Sequence, residues 1–375
     1  MEKDLGVKLI ISAVNLTEGG PLKVLQDAVE SAVETLPGWE IIVLVNRLGL
    51  INSHHIQQIV LPECKKSWFK RLCFEWYHFQ QISEFIQPDL WLSLHDITPR
   101  VKARRQAVYC HNPSPFYMLT RRDIILDPSF AIFNLLYRVL YRVFISRNFM
   151  VIVQQEWLRK VFKRDYLLSN VVVAYPMQAS VTSFPRAEIP FRRAKSYASS
   201  PIVLLYPALP RVFKNFEILC KAMELLRPEV RELLELRLTL SGTENAYARD
   251  LYKRFSSVPG VWFIGRQTRE QMEVQYHGCD VVLFPSKLET WGLPITEAKA
   301  RNIPLLVADL PYAHETVGNC DAVTFLPVDD AQSWALALQQ ISYGCHQFGR
   351  GCNVVPLEPF AANWGQLWRL LTHGL

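Results

Sequence analysis

The 375-residue chain lacks several signatures that would settle its chemistry at once. No CxxC pair accompanies its eight cysteines, no His-x3-His or paired-Asp spacing occurs, and His54 and His55 are merely adjacent. Metal ligation by neighbouring residues therefore has no basis, and no metal is expected. The P-loop signature GxxxxGK[ST] and the nucleophile elbow GxSxG are missing too, which removes two large classes of phosphate and acyl chemistry. No apolar run reaches ~18 residues, so no segment is expected to span a bilayer. Low-complexity tracts and clear internal repeats are absent. Met1–Val7 is charged and leads directly into an apolar strand, unlike a secretory signal. The cysteines are accordingly expected to be reduced thiols of a cytoplasmic protein.

What is present is ordinary globular material, half hydrophobic and one-fifth charged. At this length it suits two cores rather than one. The net charge of +6 fits an anionic partner such as a nucleotide diphosphate or an acidic lipid surface. It is too small to argue for DNA, and no helix-turn-helix, zinc-finger or RNA-binding pattern occurs, so no nucleic-acid partner is expected. Two basic, aromatic stretches, Lys65–Leu72 and Leu135–Phe144, have two readings. They are half-buried helices with solvated cations, or faces for peripheral contact with an anionic membrane.

Apolar runs alternate with helical patterns along the whole chain, which implies parallel sheets covered on both faces. The first half offers strands at Leu9–Ala13, Ile41–Val45, Ile56–Leu61, Leu90–Leu94, Ala107–Tyr109, Met150–Gln154 and Val171–Ala174. The second offers Ile202–Tyr206, Leu236–Leu240, Val261–Ile264, Val281–Phe284, Pro304–Ala308 and Ala322–Leu326. The fold expected is α/β, with an N-terminal domain over 1–185, a linker over 186–200 and a C-terminal domain over 201–355. A helix within 356–375 is expected to pack back toward the first domain. Ligands of open parallel sheets gather at the carboxyl ends of the strands.

The strongest local signal is the segment Phe284–Ala298, reading FPSKLETWGLPITEA. A buried strand gives way to a loop, and Pro294 opens a helix. Free amides at that start, including those of Gly292 and Leu293, can face an anion. Glu289 and Glu297 bracket the loop, and a carboxylate can accept paired hydrogen bonds from the vicinal hydroxyls of a sugar. Upstream, Arg211, Lys214 and Asn215 lie in a basic segment after strand Ile202–Tyr206, where two cations near a helix start make a diphosphate clamp. Gly19 and Gly20 separate the first strand from its helix and permit close backbone approach. His111 follows strand Ala107–Tyr109, and Asp96 follows Leu90–Leu94. Gly265 and Arg266 end strand Val261–Ile264; Arg266 suits a base or diphosphate contact, or a helix cap.

The spacing of Glu289 and Glu297 resembles the E-x7-E signature of glycosyltransferase family 4. The downstream NIPLLVADLPYAHETVG is similar to that family's strand–loop–helix. The likeness is specific over about Tyr206–Asp329 and one of pattern elsewhere. It implies a GT-B fold, two Rossmann-like doubly wound domains facing a central cleft. It implies retaining transfer of a hexose from a nucleotide-diphosphate sugar to a glycan or lipid-linked glycan, as in bacterial O-antigen or capsule synthesis, without cofactor. By the same resemblance Glu289 and His111 attend the transferred sugar, and Arg211 and Lys214 the leaving diphosphate. Glu297 meets the ribose, and Trp291, Gly292 and Leu293 supply backbone contacts. Gly19 and Gly20 face the pyrophosphate, Asn215, Gly265 and Arg266 line the donor, and Asp96 is a candidate for acceptor or donor contact. The family's Gly-Arg directly after the strand, with its lysine several residues later, is replaced here by Tyr206-Pro207-Ala208-Leu209, with Arg211 and Lys214 close together, which leaves the family's arginine role open between Arg211 and no residue. Two rivals stand beside this reading. A nicotinamide dehydrogenase is opposed by the missing GxGxxG. A non-catalytic binding scaffold is opposed by the retention of Glu289, Glu297 and Lys214.

Overall fold

The computed structural model describes residues 6–176 and 200–375. All of the expected linker except Ser200 lies outside the described residues. The chain divides into two compact units. Among the described residues, one comprises 6–115, 135–176 and 356–375; the other comprises 116–134 and 200–355.

The first unit is built on a parallel sheet of β1 (Lys8–Ser12), β2 (Glu40–Val45), β3 (Gln57–Val60), β4 (Leu90–Ser93), β5 (Arg105–Cys110), β6 (Met150–Val153) and β7 (Val171–Ala174). The two-residue strand Phe360–Ala361 joins its edge, giving the order Phe360–Ala361, β7, β6, β5, β4, β1, β2, β3. β1, β4 and β7 are apolar and buried nearly end to end, as strands covered on both faces must be. The order reverses between β1 and β4, so the carboxyl ends of those strands, Ser12 and Ser93, flank the point where such sheets hold ligands.

The helix Gly19–Thr35 covers this sheet with Val24, Leu25, Ala28 and Val29 buried. It begins two residues before Pro21, with Gly19 at φ 64°, a left-handed conformation that glycine adopts without strain. The helix Trp364–Thr372 lies against it. Trp368 is fully buried, and its indole donates to the Ala28 carbonyl at 3.2 Å. Trp364 stacks on Tyr109, centroids 5.3 Å apart, and donates to the Pro176 carbonyl.

The second unit carries a parallel sheet of β8 (Ile202–Tyr206), β9 (Leu234–Leu238), β10 (Val261–Phe263), β11 (Val281–Phe284), β12 (Leu305–Ala308) and β13 (Val323–Leu326). Its order is β10-β9-β8-β11-β12-β13, the doubly wound order with its reversal between β8 and β11. β9 begins two residues earlier than its apolar run suggests. Leu234, Leu236 and Leu238 are buried, while Glu235 and Arg237 alternate with them and pair with each other at 2.6 Å. Leu240 is buried as well, but beyond the last paired residue.

No helix among the described residues is long and apolar enough to cross a membrane. Of the two basic, aromatic stretches, the first forms a short helix, Trp68–Cys73, capped by Ser67, with Phe69 outward and Arg71 buried. The second continues the helix Pro128–Leu140, which leaves Leu135 and Val139 exposed and buries Tyr137 and Leu140.

Candidate functional site

In the second unit the loops after β8 and β11, the strands at the reversal, are laced together. The Tyr206 hydroxyl donates to the Lys214 carbonyl at 2.6 Å, and the Lys287 amide donates to the Phe213 carbonyl at 2.8 Å. Asn215 sits at φ 58°, in the left-handed region asparagine tolerates. Its buried amide donates to the carbonyls of Pro285 and Val328 at 3.2 and 2.8 Å. The Asn215 side chain is thus a brace between loops. Its removal would take this donor from the buried Pro285 carbonyl and the partly buried Val328 carbonyl.

This lacing brings Lys214 and Glu289, 75 residues apart in sequence, into a direct ion pair. Both side chains are largely shielded, and the lysine ammonium also lies 5.5 and 5.6 Å from the ring centres of Phe213 and Phe284. Low solvent access strengthens each charge's hold on whatever replaces its partner. Arg211, from the same loop, is half-exposed and bonds instead to the buried Asp127 carboxylate, 3.1 Å from its Oδ2.

The helix after the β11 loop runs over Leu293–Ala300, one residue earlier than Pro294 indicates, with Gly292 as its cap at φ 82°. A Cβ on Gly292 would stand 3.2 Å from Phe284 and 3.3 Å from Ile295, so both backbone angle and space require glycine. The Trp291 indole donates to the Thr296 hydroxyl at 3.0 Å, fixing the turn that precedes the helix. The amides of Gly292 and Leu293 stand ahead of the first intrahelical bond, in the position suited to an anion. Glu297 is exposed on this helix and accepts from the Tyr276 hydroxyl at 2.6 Å. Gly265 and Arg266 follow β10 at the sheet's edge, two strands from β8. Gly265 has φ 72°, and Arg266 is exposed without a hydrogen bond or ion pair among the described residues.

In the first unit Asp96 and His111 come together. Asp96 is buried at φ 71°, and its Oδ1 accepts from the amides of His111 and Asn112 at 2.7 and 2.9 Å and from the Tyr141 hydroxyl at 3.0 Å. Asp96 therefore holds the His111 turn in place, and its other oxygen lies 3.7 Å from the His111 Nε2. Gly19 and Gly20 follow β1 after a short turn at the same sheet's carboxyl end.

A polar cluster that the sequence gives no sign of lies where β1 and β4 end. The Ser12 hydroxyl meets His95 Nε2 at 2.9 Å, and Glu75 Oε1 lies 3.1 Å from His95 Nδ1. Arg71 donates to the His95 carbonyl at 2.9 Å. Glu75 stands on a short π-helical turn, Phe74–His78, inside an otherwise α-helical stretch. The arrangement has the connectivity of a serine–histidine–acid triad, but Ser12 is fully buried and no substrate could reach it.

Burial pushes the Glu75 carboxyl from its ordinary 4.5 up to about 8, and the His95 imidazole well below its ordinary 6.5. From pH 4.5 to 8 the unfolded chain releases a proton that folded Glu75 keeps, so stability falls as pH rises. His95 acts oppositely below pH 6.5, where the unfolded chain takes up a proton that the buried ring refuses. Between about pH 7 and 8 the Glu75 slope outweighs the opposing one from His95. The first unit is expected to lose up to about 1.4 kcal/mol per pH unit there. Denaturant titrations across that range should show the slope in the natural protein and its loss in Glu75→Gln; equal slopes would remove the buried proton from the account.

Residues 188–343 match the family model of Glycosyl transferases group 1. Among curated proteins, the sulfoquinovosyl transferase SQD2 of Arabidopsis thaliana is 34% identical over 88 residues, 24% of this chain and 17% of that protein. The O-antigen chain mannosyltransferase RfbU of Salmonella typhimurium is 31% identical over 81 residues, 22% of each chain. The chain thus spans about a fifth of the length of these curated relatives. Among solved structures, a glycosyltransferase from Rickettsia africae superposes with a TM-score of 0.62 at 12% identity, over 99% of this chain and 100% of that one. At that identity the likeness is one of fold. The match to glycosyl transferases group 1 is thus carried by residues 188–343, within a chain whose two parallel sheets have the fold of the GT-B glycosyltransferases.

Proposed function

We propose that this chain is a retaining glycosyltransferase that moves a hexose from a nucleotide-diphosphate sugar to a hydroxyl of a glycan or lipid-linked glycan, in bacterial O-antigen or capsule assembly. The observation that carries the reading is the Lys214–Glu289 pair, held beside a glycine-capped helix start at the reversal of the second sheet. A donor offers a partner to each half of that pair. Its diphosphate takes Lys214, and its sugar hydroxyls take Glu289. Arg211 and the amides of Gly292 and Leu293 add positive potential where the leaving charge grows, which is where electrostatic catalysis has most leverage. With that charge met by side chains and amides, the reaction is read as needing no metal or cofactor.

In the step itself the acceptor oxygen bonds to the anomeric carbon as the bond from that carbon to the phosphate oxygen breaks, both on one face. The acceptor's proton passes to the departing diphosphate. Glu297 is assigned to the ribose, Trp291, Gly265, Arg266, Gly19 and Gly20 to the donor, and His111, held by Asp96, to the transferred sugar. The outward Leu135 and Val139 beside Arg142 suit peripheral contact with an anionic bilayer from the cytoplasmic side.

The deciding experiment combines a thermal-shift panel of UDP, GDP and NAD with an assay of nucleotide release from candidate donor sugars. UDP or GDP should raise the melting temperature by mass action and one donor should turn over. Lys214→Ala should weaken both diphosphate binding and kcat/KM about 10- to 100-fold, the worth of a charge-assisted hydrogen bond. Selective stabilisation by NAD would point to a dehydrogenase, and binding without turnover to a scaffold.

A further inference from the structure

Asp127 is separated by 84 residues from the arginine it touches, and nothing in the donor-site reading uses it. We propose that Asp127 is a positioning residue for Arg211, holding one corner of the guanidinium so that the rest is presented to a donor's diphosphate. The inference rests on the proposed role of Arg211.

The geometry is one-sided. Only Nη1 of Arg211 meets Asp127, at 3.3 and 3.1 Å from its two oxygens. Nε and Nη2 have no partner among the described residues, and the arginine side chain is 47% exposed against 3% for the aspartate. A guanidinium carries five donors in a rigid fork, so anchoring one nitrogen leaves the opposite edge able to grip a phosphate.

Asp127 itself cannot follow the arginine. It precedes the helix Pro128–Leu140, accepting from the Phe130 amide at 3.1 Å and the Ser129 hydroxyl at 2.8 Å. The segment around it is fastened to the same unit at further points. Phe130 packs on Phe213 with centroids 5.0 Å apart, and Arg122 pairs with Asp250 at 2.8 Å. Phe213 is the residue between the two cations' loop ends, next to Lys214. A fixed carboxylate with an otherwise free arginine is the arrangement that lowers the ordering cost of binding.

The test is a double-mutant cycle read by calorimetry with UDP and GDP as probes. Asp127→Asn retains an oxygen for the helix cap and removes the charge. It should leave the melting temperature near that of the natural protein and weaken diphosphate binding about 3- to 10-fold. In an Arg211→Ala background the same change should alter binding by less than about twofold. Tighter or unchanged binding in Asp127→Asn would overturn the proposal, tighter binding marking the carboxylate as a competitor. Equal weakening in both backgrounds would overturn it as well, since the effect would then bypass Arg211. If neither UDP nor GDP binds the natural protein, the donor-site reading itself fails.

Discussion

Glu289→Ala is expected to lower kcat roughly 100- to 1,000-fold, the range seen when one preorganised transition-state contact is deleted, while UDP or GDP binds at least as tightly as before. The two halves of this expectation have separate causes. The Glu289 carboxylate is the acid nearest to Lys214 and the one available for sugar hydroxyls, so its loss strikes the transferred group. Bare nucleoside diphosphate carries no hexose and loses nothing. It also meets a lysine no longer neutralised by its neighbour. The fold should survive, because Glu289 lies in a loop whose lacing runs through Asn215, Lys287 and Ser286 rather than through the acid itself. Nucleotide release measured beside calorimetric binding separates the effects. Full turnover in the variant would dismantle the proposed site, and equal loss of binding and turnover would make Glu289 a prop for Lys214 only.

The second large effect falls on stability. Trp368→Ala is expected to cost about 3–5 kcal/mol, the usual consequence of emptying a buried tryptophan site. Trp368 is fully buried between the helix Gly19–Thr35 and Trp364, whose ring centre lies 6.0 Å away, and its indole N–H is spent on the Ala28 carbonyl. Neither neighbouring helix can close the gap without losing its own register on the sheet. The melting transition of the first unit should fall on the order of 10 °C, and that of the second unit should stay in place, still raised by nucleotide. A single transition moving as a whole would show that the two units do not melt separately.

Strand positions were largely legible because parallel strands covered on both faces are written as unbroken apolar runs. Val171–Ala174, Ile202–Tyr206 and Val281–Phe284 agree with the structure end to end. Where the run alternates with charge, as in Leu234–Leu238, the boundary slipped by two residues. The strand Phe360–Ala361 is too short to show any period. The helix start near Pro294 and the two loops at the sheet reversal could be read because cap residues, glycine and proline act locally. Pairings across the chain could not. Nothing in a linear pattern says that Asp127 meets Arg211, that Glu75 meets His95, or that Phe116–Asn134 belongs with the second unit rather than the first. Asn215 shows the same limit from another side. Its place in a basic loop suggests an open donor, whereas its side chain is consumed by carbonyls from two other loops.

Residues 356–375 supply an edge strand and a helix to the first unit, yet they are synthesised after every residue of the second. During translation the β7 edge therefore stays open, and the face of the first helix that Trp368 covers stays bare, until residues 356–375 have left the ribosome. The usual amino-to-carboxyl order of domain completion is reversed in this chain. A released chain truncated after residue 355 would keep every strand of the second sheet but lack the edge strand and covering helix of the first unit, and its bared apolar surface is where chaperones should bind.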